Sequence, residues 1–211
     1  MSARKPVPPF GGAVLCGGAS RRMGRDKALI VVEGRALAVR VVEAIAAAGA
    51  TSVVAVGGDV GALRDAGLAA VPDAEPGAGP LTGIVTALGA VPDDIVFVAA
   101  CDLVAPSAAA VAAAVQALAA DALADVAAPV VAGRRQWMHA AWRRRSEVPL
   151  GAAFAAGERA VHAAVSAGGL RVVDVAVDPR SVADADTPSD LPVAGPQTSG
   201  VPGGGAVRPN R

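Results

Sequence analysis

Five short, almost uninterrupted apolar runs punctuate this chain, and nothing else in it limits the fold so tightly. They are "GAVLCG" (12–17), "SVVAVG" (52–57), "IVFVAAC" (95–101), "DVAAPVV" (125–131) and "LRVVDVAV" (170–177). Each is Val-rich and lacks a polar residue at every second position, the pattern of a strand buried on both faces. Between them lie stretches long enough for helices, notably "ALAVRVVEAIAAAG" (36–49) and "PSAAAVAAAVQALAADAL" (106–123). Gly49 fits the end of the first helix, and Pro106 fits the first turn of the second. The Ala tracts show no fixed period, so they read as helix propensity rather than repeats. Alternating β and α units predict a single α/β domain of three layers around a mainly parallel sheet.

The chain is long enough for one domain with a sizeable core, having 211 residues of which 53% are hydrophobic. Its ends, 1–9 and 193–211, are rich in Pro, Gly and Ser and read as flexible tails around a folded unit at 10–192. Nineteen basic residues balance 19 acidic ones, which argues against nucleic-acid or membrane-surface binding. No apolar run reaches the roughly 18 residues of a membrane helix. The start "MSARKPVPPF" lacks a signal peptide's apolar stretch, so a cytoplasmic protein is expected. Cys16 and Cys101 form no C-x-x-C pair and read as small buried side chains. With 2% aromatic residues and no Tyr, stacking on a ligand falls to few side chains, Trp137 and Trp142 among them.

Open parallel sheets bind ligands beyond the carboxyl ends of their strands, so chemistry belongs just after each apolar run. After the first comes "GGASRRMGRDKA" (17–28). It is neither a Walker loop, where Lys follows the second Gly directly, nor a G-x-G-x-x-G turn. Two glycines at a strand end still let backbone N–H groups approach an anion, and Lys27, Arg21, Arg22 and Arg25 could neutralise phosphates. Gly57 and Gly58 follow the second run, either beside a base or ribose or as an ordinary turn. "VPDAEPGAGPLTGI" (71–84) carries Asp73 and Glu75 in an extended loop before a Pro-Leu helix start, which suits a lid or base pocket. Asp102 directly follows the third run. A carboxylate there needs a cation or metal, Mg²⁺ by preference, unless it caps the next turn. In "SVADADTPSDL" (181–191), Asp184 and Asp186 alternate and can add oxygen ligands, while Thr187, Pro188 and Asp190 read as a helix cap. His139 could contact substrate or sit within a strand, His162 reads as a surface or packed residue, and "WRRRS" (142–146) reads as a solvated basic face.

Taken together, "LCGGASRRMGRDKA" resembles the L-x-G-G-x-S-x-R-M-G-x-D-K signature of the MobA-like nucleotidyltransferases, the molybdenum cofactor guanylyltransferases. "PDAEPGAGPLTGI", "ACDLVAP" and "ADADTPSDL" resemble that family's later motifs in order, so the likeness covers roughly residues 11 to 192. It implies a Rossmann-like nucleotidyltransferase fold and transfer of GMP from GTP to the molybdopterin cofactor, with release of pyrophosphate. Leu15, Cys16, Gly17, Gly18, Lys27, Asp73 and Asp102 would then bind GTP, with Lys27 and Asp102 catalytic. Asp102 would hold Mg²⁺, aided by Asp184 or Asp186. The likeness leaves room for transient docking with cofactor-biosynthesis or acceptor proteins. Two positions depart from the family: Cys16 replaces an alanine, and Trp137 stands where a Pro often follows Gln. Relatives that use CTP tend to read L-A-A-G, so Gly17-Gly18 favours a purine. A cytidylyltransferase is therefore the alternative; a non-catalytic nucleotide-binding regulator or an NAD-dependent oxidoreductase fits the motifs less well.

Overall fold

Each of the five apolar runs forms a strand in the computed structural model, which describes residues 6–17 and 27–185. In chain order the elements are β1 (Gly11–Leu15), β2 (Val31–Val32), β3 (Arg35–Ala36), α1 (Leu37–Ala47), β4 (Val53–Val56), α2 (Val60–Asp65), β5 (Ala70–Val71) and α3 (Pro80–Ala90). There follow β6 (Ile95–Ala100), α4 (Ala108–Ala120), β7 (Val126–Val131), β8 (Arg134–Arg135), β9 (His139–Arg143), α5 (Glu147–Ala155), α6 (Val161–Ala167) and β10 (Val172–Val175). The main sheet runs β10-β7-β9-β6-β1-β4-β5, with β8 paired to β7 and β2 paired to β3 in a separate ribbon. Along that path neighbours are parallel except at β9, which is antiparallel to both β6 and β7; β8 is likewise antiparallel to β7.

Alternation along the strands sends side chains to two separate cores. Val14, Phe97, Ala99 and Ala127 face α1 and α4, meeting Val41, Ile45, Val115 and Leu118. Ala13, Leu15, Val98 and Val126 face the opposite way, onto Leu81, Ile84, Leu150 and Val165 of α3, α5 and α6. Helices on both faces of the sheet give the expected three layers. Val7, placed in the N-terminal tail by composition, packs against the first of these cores.

Three local expectations change. α4 starts two residues beyond Pro106: Ser107 is its N-cap and accepts a hydrogen bond from the Ala110 N–H, so Pro106 lies outside the helix. Trp142 is fully buried in the α3/α5/α6 core and offers no face to a ligand. Two of the three arginines after it are paired rather than simply solvated, Arg143 with Asp94 at 2.6 Å and Arg145 with Asp125 at 2.8 Å, while Arg144 is exposed. Among the described residues no helix is long and apolar enough to cross a membrane.

Candidate functional site

β1 lies between β4 and β6 and parallel to both, so the chain leaves all three strands at one edge of the sheet. The ladder continues one residue past β1: the Cys16 N–H donates to the Val56 carbonyl (2.8 Å), and the Cys101 N–H donates to the Leu15 carbonyl (3.1 Å). Gly17 is thereby fixed directly above the strand end. Gly57, following β4, has φ +76°, and a Cβ there would lie 3.1 Å from Gly17 N and 3.2 Å from Gly17 Cα. Only a glycine closes this gap without displacing Gly17, so the two glycines form one close-packed floor. Of the two sequence readings of Gly57, the structural one has a concrete partner.

Asp73 forms the wall beside that floor. Its Oδ1 accepts hydrogen bonds from Thr86 Oγ1 and from the Glu75 N–H, both at 3.2 Å. Thr86 Oγ1 in turn accepts from the Ala74 N–H at 3.1 Å. The other oxygen, Oδ2, faces Gly17, and a Cβ on that glycine would lie 3.8 Å from it. α3 begins at Pro80, whose missing N–H costs nothing in a first turn, and it carries Thr86 to this contact.

On the other side of the floor, Lys27 Nζ donates to Asp102 Oδ2 at 3.0 Å and to the Ala185 carbonyl at 2.9 Å. The ion pair joins residues 75 apart in sequence, and each side chain keeps only about a fifth of its surface exposed. Ala28, next to the lysine, is fully buried and anchors the short turn Lys27–Leu29. Asp102 Oδ1 takes no hydrogen bond from any described residue, which leaves one oxygen for a donor or a hard cation.

The last described residues close this side. Leu103 bridges Asp184, the Val104 N–H donates to the Ala183 carbonyl, and the Ala185 N–H donates to the Asp102 carbonyl. Asp184 Oδ1 lies 3.1 Å from His139 Nε2, and that imidazole is only 3% exposed. Asp102 and Asp184 therefore take different partners, Lys27 and His139. Among the described residues no group of three or more His, Cys, Asp or Glu side chains could hold a metal ion.

Of the residues singled out in sequence, Leu15, Cys16, Gly17, Lys27, Asp73 and Asp102 gather at this edge. Cys16 presents only its backbone: its thiol is buried and donates weakly to the Val14 carbonyl at 3.6 Å. Gly18, Arg21, Arg22, Arg25, Asp186 and the cap residues Thr187, Pro188 and Asp190 lie outside the described residues. Thr86 and the His139–Asp184 pair went unread in the sequence. No spacing rule links Thr86 to Asp73 across a loop, and His139 signals only a strand histidine. An acceptor oxygen beside a glycine floor, with an ammonium and a carboxylate across from it, can hold a base at one end and phosphates at the other.

Comparison with known proteins matches residues 12–173 to the MobA-like NTP transferase domain. The molybdenum cofactor guanylyltransferase of Rhodobacter capsulatus is 33% identical over 193 residues, covering 85% of this chain and 92% of that protein. The "Probable molybdenum cofactor guanylyltransferase" of Opitutus terrae is 47% identical over 79 residues, and there the chain spans 39% of the relative's length. Among solved structures, molybdopterin-guanine dinucleotide biosynthesis protein A of Archaeoglobus fulgidus superposes with a TM-score of 0.66 at 24% identity, covering 86% of this chain and 94% of that one. At that identity the superposition speaks for the fold.

Proposed function

The chain belongs to the MobA-like NTP transferase domain family, and from that premise we propose that it is a GTP:molybdenum cofactor guanylyltransferase. A terminal phosphate oxygen of the molybdopterin cofactor attacks the α-phosphorus of GTP. The new P–O bond forms as the bond to the bridging oxygen breaks, and pyrophosphate leaves. The reaction gives the guanine dinucleotide form of the cofactor, in the cytoplasm where GTP is at hand. The names borne by the relatives support this choice of substrates, and the Lys27–Asp102 contact supports the chemistry.

Guanine offers an N1–H and an amino group, both donors, to the Asp73 oxygen that faces Gly17. Gly17 and, outside the described residues, Gly18 leave their backbone N–H groups to the phosphates. Lys27 balances charge on the triphosphate and on the pyrophosphate as it departs, with Arg21, Arg22 and Arg25 of the same loop as further phosphate contacts. Most of the rate then comes from positioning and from charge already in place.

Asp102, with a second carboxylate, would hold a divalent cation, Mg²⁺ by this reading, which would supply charge neutralisation at the triphosphate. The donor set fits it. Asp102 supplies an unbonded oxygen at the strand end, and Mg²⁺ needs only one or two carboxylates when phosphates complete its shell. Asp184, whose Oδ1 meets His139, and Asp186 are the candidates for the second ligand.

Calorimetric titration with GTP, CTP and NAD, each with and without Mg²⁺, tests the reading. GTP binding strengthened by Mg²⁺ is expected. A preference for CTP would keep the fold and chemistry but move the protein to cytidylyl transfer, and NAD binding alone would sink the nucleotidyltransferase assignment.

A further inference from the structure

Asp73 stands two residues past β5, a strand of only two residues at the edge of the sheet, and regular structure resumes only where α3 begins at Pro80. The Gly57 N–H donates to the Val71 carbonyl at 2.9 Å and ties the end of β5 to the glycine floor. Beyond that bond the loop backbone alone does not fix where a side chain points.

Thr86 supplies the missing constraint. It lies three residues after Gly83 on α3, so the two share a face of the helix. A Cβ at Gly83 would lie 3.3 Å from the Leu15 side chain, so that face packs against the strand end that leads to Gly17. The hydroxyl of a helical threonine ordinarily bonds back to its own helix, as Thr82 Oγ1 does with the Gly79 carbonyl at 2.9 Å. Thr86 departs from this habit. Its Oγ1 sits between the Ala74 N–H at 3.1 Å and Asp73 Oδ1 at 3.2 Å. An N–H only donates and an ionised carboxylate only accepts, so the direction of both bonds, and with it the hydroxyl rotor, is set.

The Glu75 N–H adds a second donor to the same Oδ1 at 3.2 Å. Asp73 Cβ meanwhile lies against Gly57, where an added Cβ would come within 3.5 Å of it. Among the described residues both donors to this carboxylate fall on Oδ1, and Oδ2 is the oxygen turned toward Gly17. An acceptor-only oxygen held in that place requires a donor from the ligand. Guanine offers two side by side, N1–H and the 2-amino group. Adenine and cytosine set a bare ring nitrogen beside their amino group, and an acceptor facing a pinned acceptor leaves both unpaired.

We propose that Thr86 governs base selection. By pinning Oδ1 it keeps Oδ2 from swinging away from a mismatched base, so that only an edge of donors is accepted. Thr86 acts through Asp73 and is thus a positioning residue. The inference rests on the guanylyltransferase reading, which places guanine at Asp73.

The test is calorimetric titration of the full chain with GTP, ATP and CTP in the presence of Mg²⁺. Thr86→Val keeps the β-branched shape and removes both hydrogen bonds; Ala74 is exposed, so water takes up its N–H. GTP affinity should drop about tenfold, the scale of coupling within one hydrogen-bond network, while ATP affinity does not drop. Thr86→Ser, which keeps the hydroxyl, should bind GTP nearly as wild type does. In an Asp73→Ala background Thr86→Val should cost GTP nothing further, because the group it positions is gone. Unchanged GTP affinity in Thr86→Val, equal losses for GTP and ATP, a loss as large in Thr86→Ser, or a full second loss in Asp73→Ala would each overturn the role of Thr86. A wild type that binds ATP or CTP as tightly as GTP would overturn the guanylyl reading and this inference with it, so the two failures separate at the wild-type measurement.

Discussion

Replacing Gly57 by alanine should damage both stability and nucleotide binding, in proportions that the structure sets. The backbone at Gly57 has φ +76°, where an L-residue costs about 1–2 kcal/mol. The new Cβ would also press on Gly17 N at 3.1 Å and Gly17 Cα at 3.2 Å. Backbone cannot rotate away as a side-chain tip can, so this contact adds overpacking of about 1–3 kcal/mol. Gly67 is the internal control. Its φ is +83°, and a Cβ there would meet nothing within 4 Å, so Gly67→Ala incurs the conformational cost alone. At about 2–4 °C per kcal/mol for a chain of this size, Gly67→Ala should lower Tm by about 2–8 °C and Gly57→Ala by about 4–20 °C. Gly57→Ala should in addition weaken GTP by about tenfold, or 1.4 kcal/mol, if the displaced Gly17 N–H is the phosphate donor proposed above. Thermal unfolding and calorimetry on the two variants read both effects. Equal Tm losses together with wild-type GTP affinity in Gly57→Ala would refute the close-packed floor.

Lys27→Met should lower turnover by about 10²–10³-fold, the usual loss on removing one pre-placed charge-stabilising donor, while unfolding stays cooperative. Near-wild-type kcat would remove the lysine from the chemistry. Asp102→Asn keeps the shape and loses the charge, so the response of GTP affinity to Mg²⁺ should flatten; an unaltered metal response would take Asp102 out of the site. His139→Leu deletes the imidazole's bond to Asp184, with an expected loss of about 1.5–3 kcal/mol and about 3–12 °C in Tm. His139→Gln should recover part of that loss, and a stability unchanged in His139→Leu would mean the contact does not hold the closing segment.

The strands and the principal helices were legible because burial on both faces removes polar residues from a strand, and the five Val-rich runs carry that mark plainly. β9 was not, apart from its histidine. "HAAWR" is short, with two alanines and charged or titratable residues at its ends, and it owes its interior place to the β7–β8 hairpin that feeds it between β6 and β7. The candidate site was legible as residue types: Asp73 and Asp102 stand just past strand ends and Lys27 in the loop after β1, where charged side chains need partners. Pairings that depend on tertiary distance were not. Thr86 reaches Asp73 across a loop, and Asp184 turns to His139 because, paired opposite Leu103, it shares that residue's face, whereas Asp102 stands opposite Ala185. A carboxylate's position in a motif says that it is near the site; its face decides which partner it meets.

That division of partners has a consequence for how metal and nucleotide bind. Asp102 already carries Lys27 on one oxygen, so the pair presents almost no net charge to an incoming cation, and Asp184 has one oxygen on His139. One carboxylate oxygen beside an ammonium is a poor site for a dication in water, because the desolvation of Mg²⁺ would go largely uncompensated. A triphosphate changes the balance: its oxygens complete the shell that Asp102 begins, and its charge engages Lys27. Mg²⁺ should therefore give little heat when titrated alone at millimolar concentration, yet GTP affinity should rise with Mg²⁺. By reciprocity, GTP must raise the affinity for Mg²⁺ by the same factor. Lys27→Met should shift the first of these results in a telling direction, strengthening Mg²⁺ binding to the nucleotide-free protein by releasing the Asp102 carboxylate. Strong Mg²⁺ binding by wild type without nucleotide, unaffected by Lys27→Met, would mean that the metal is held by other ligands and that the Lys27–Asp102 pair does not govern its entry.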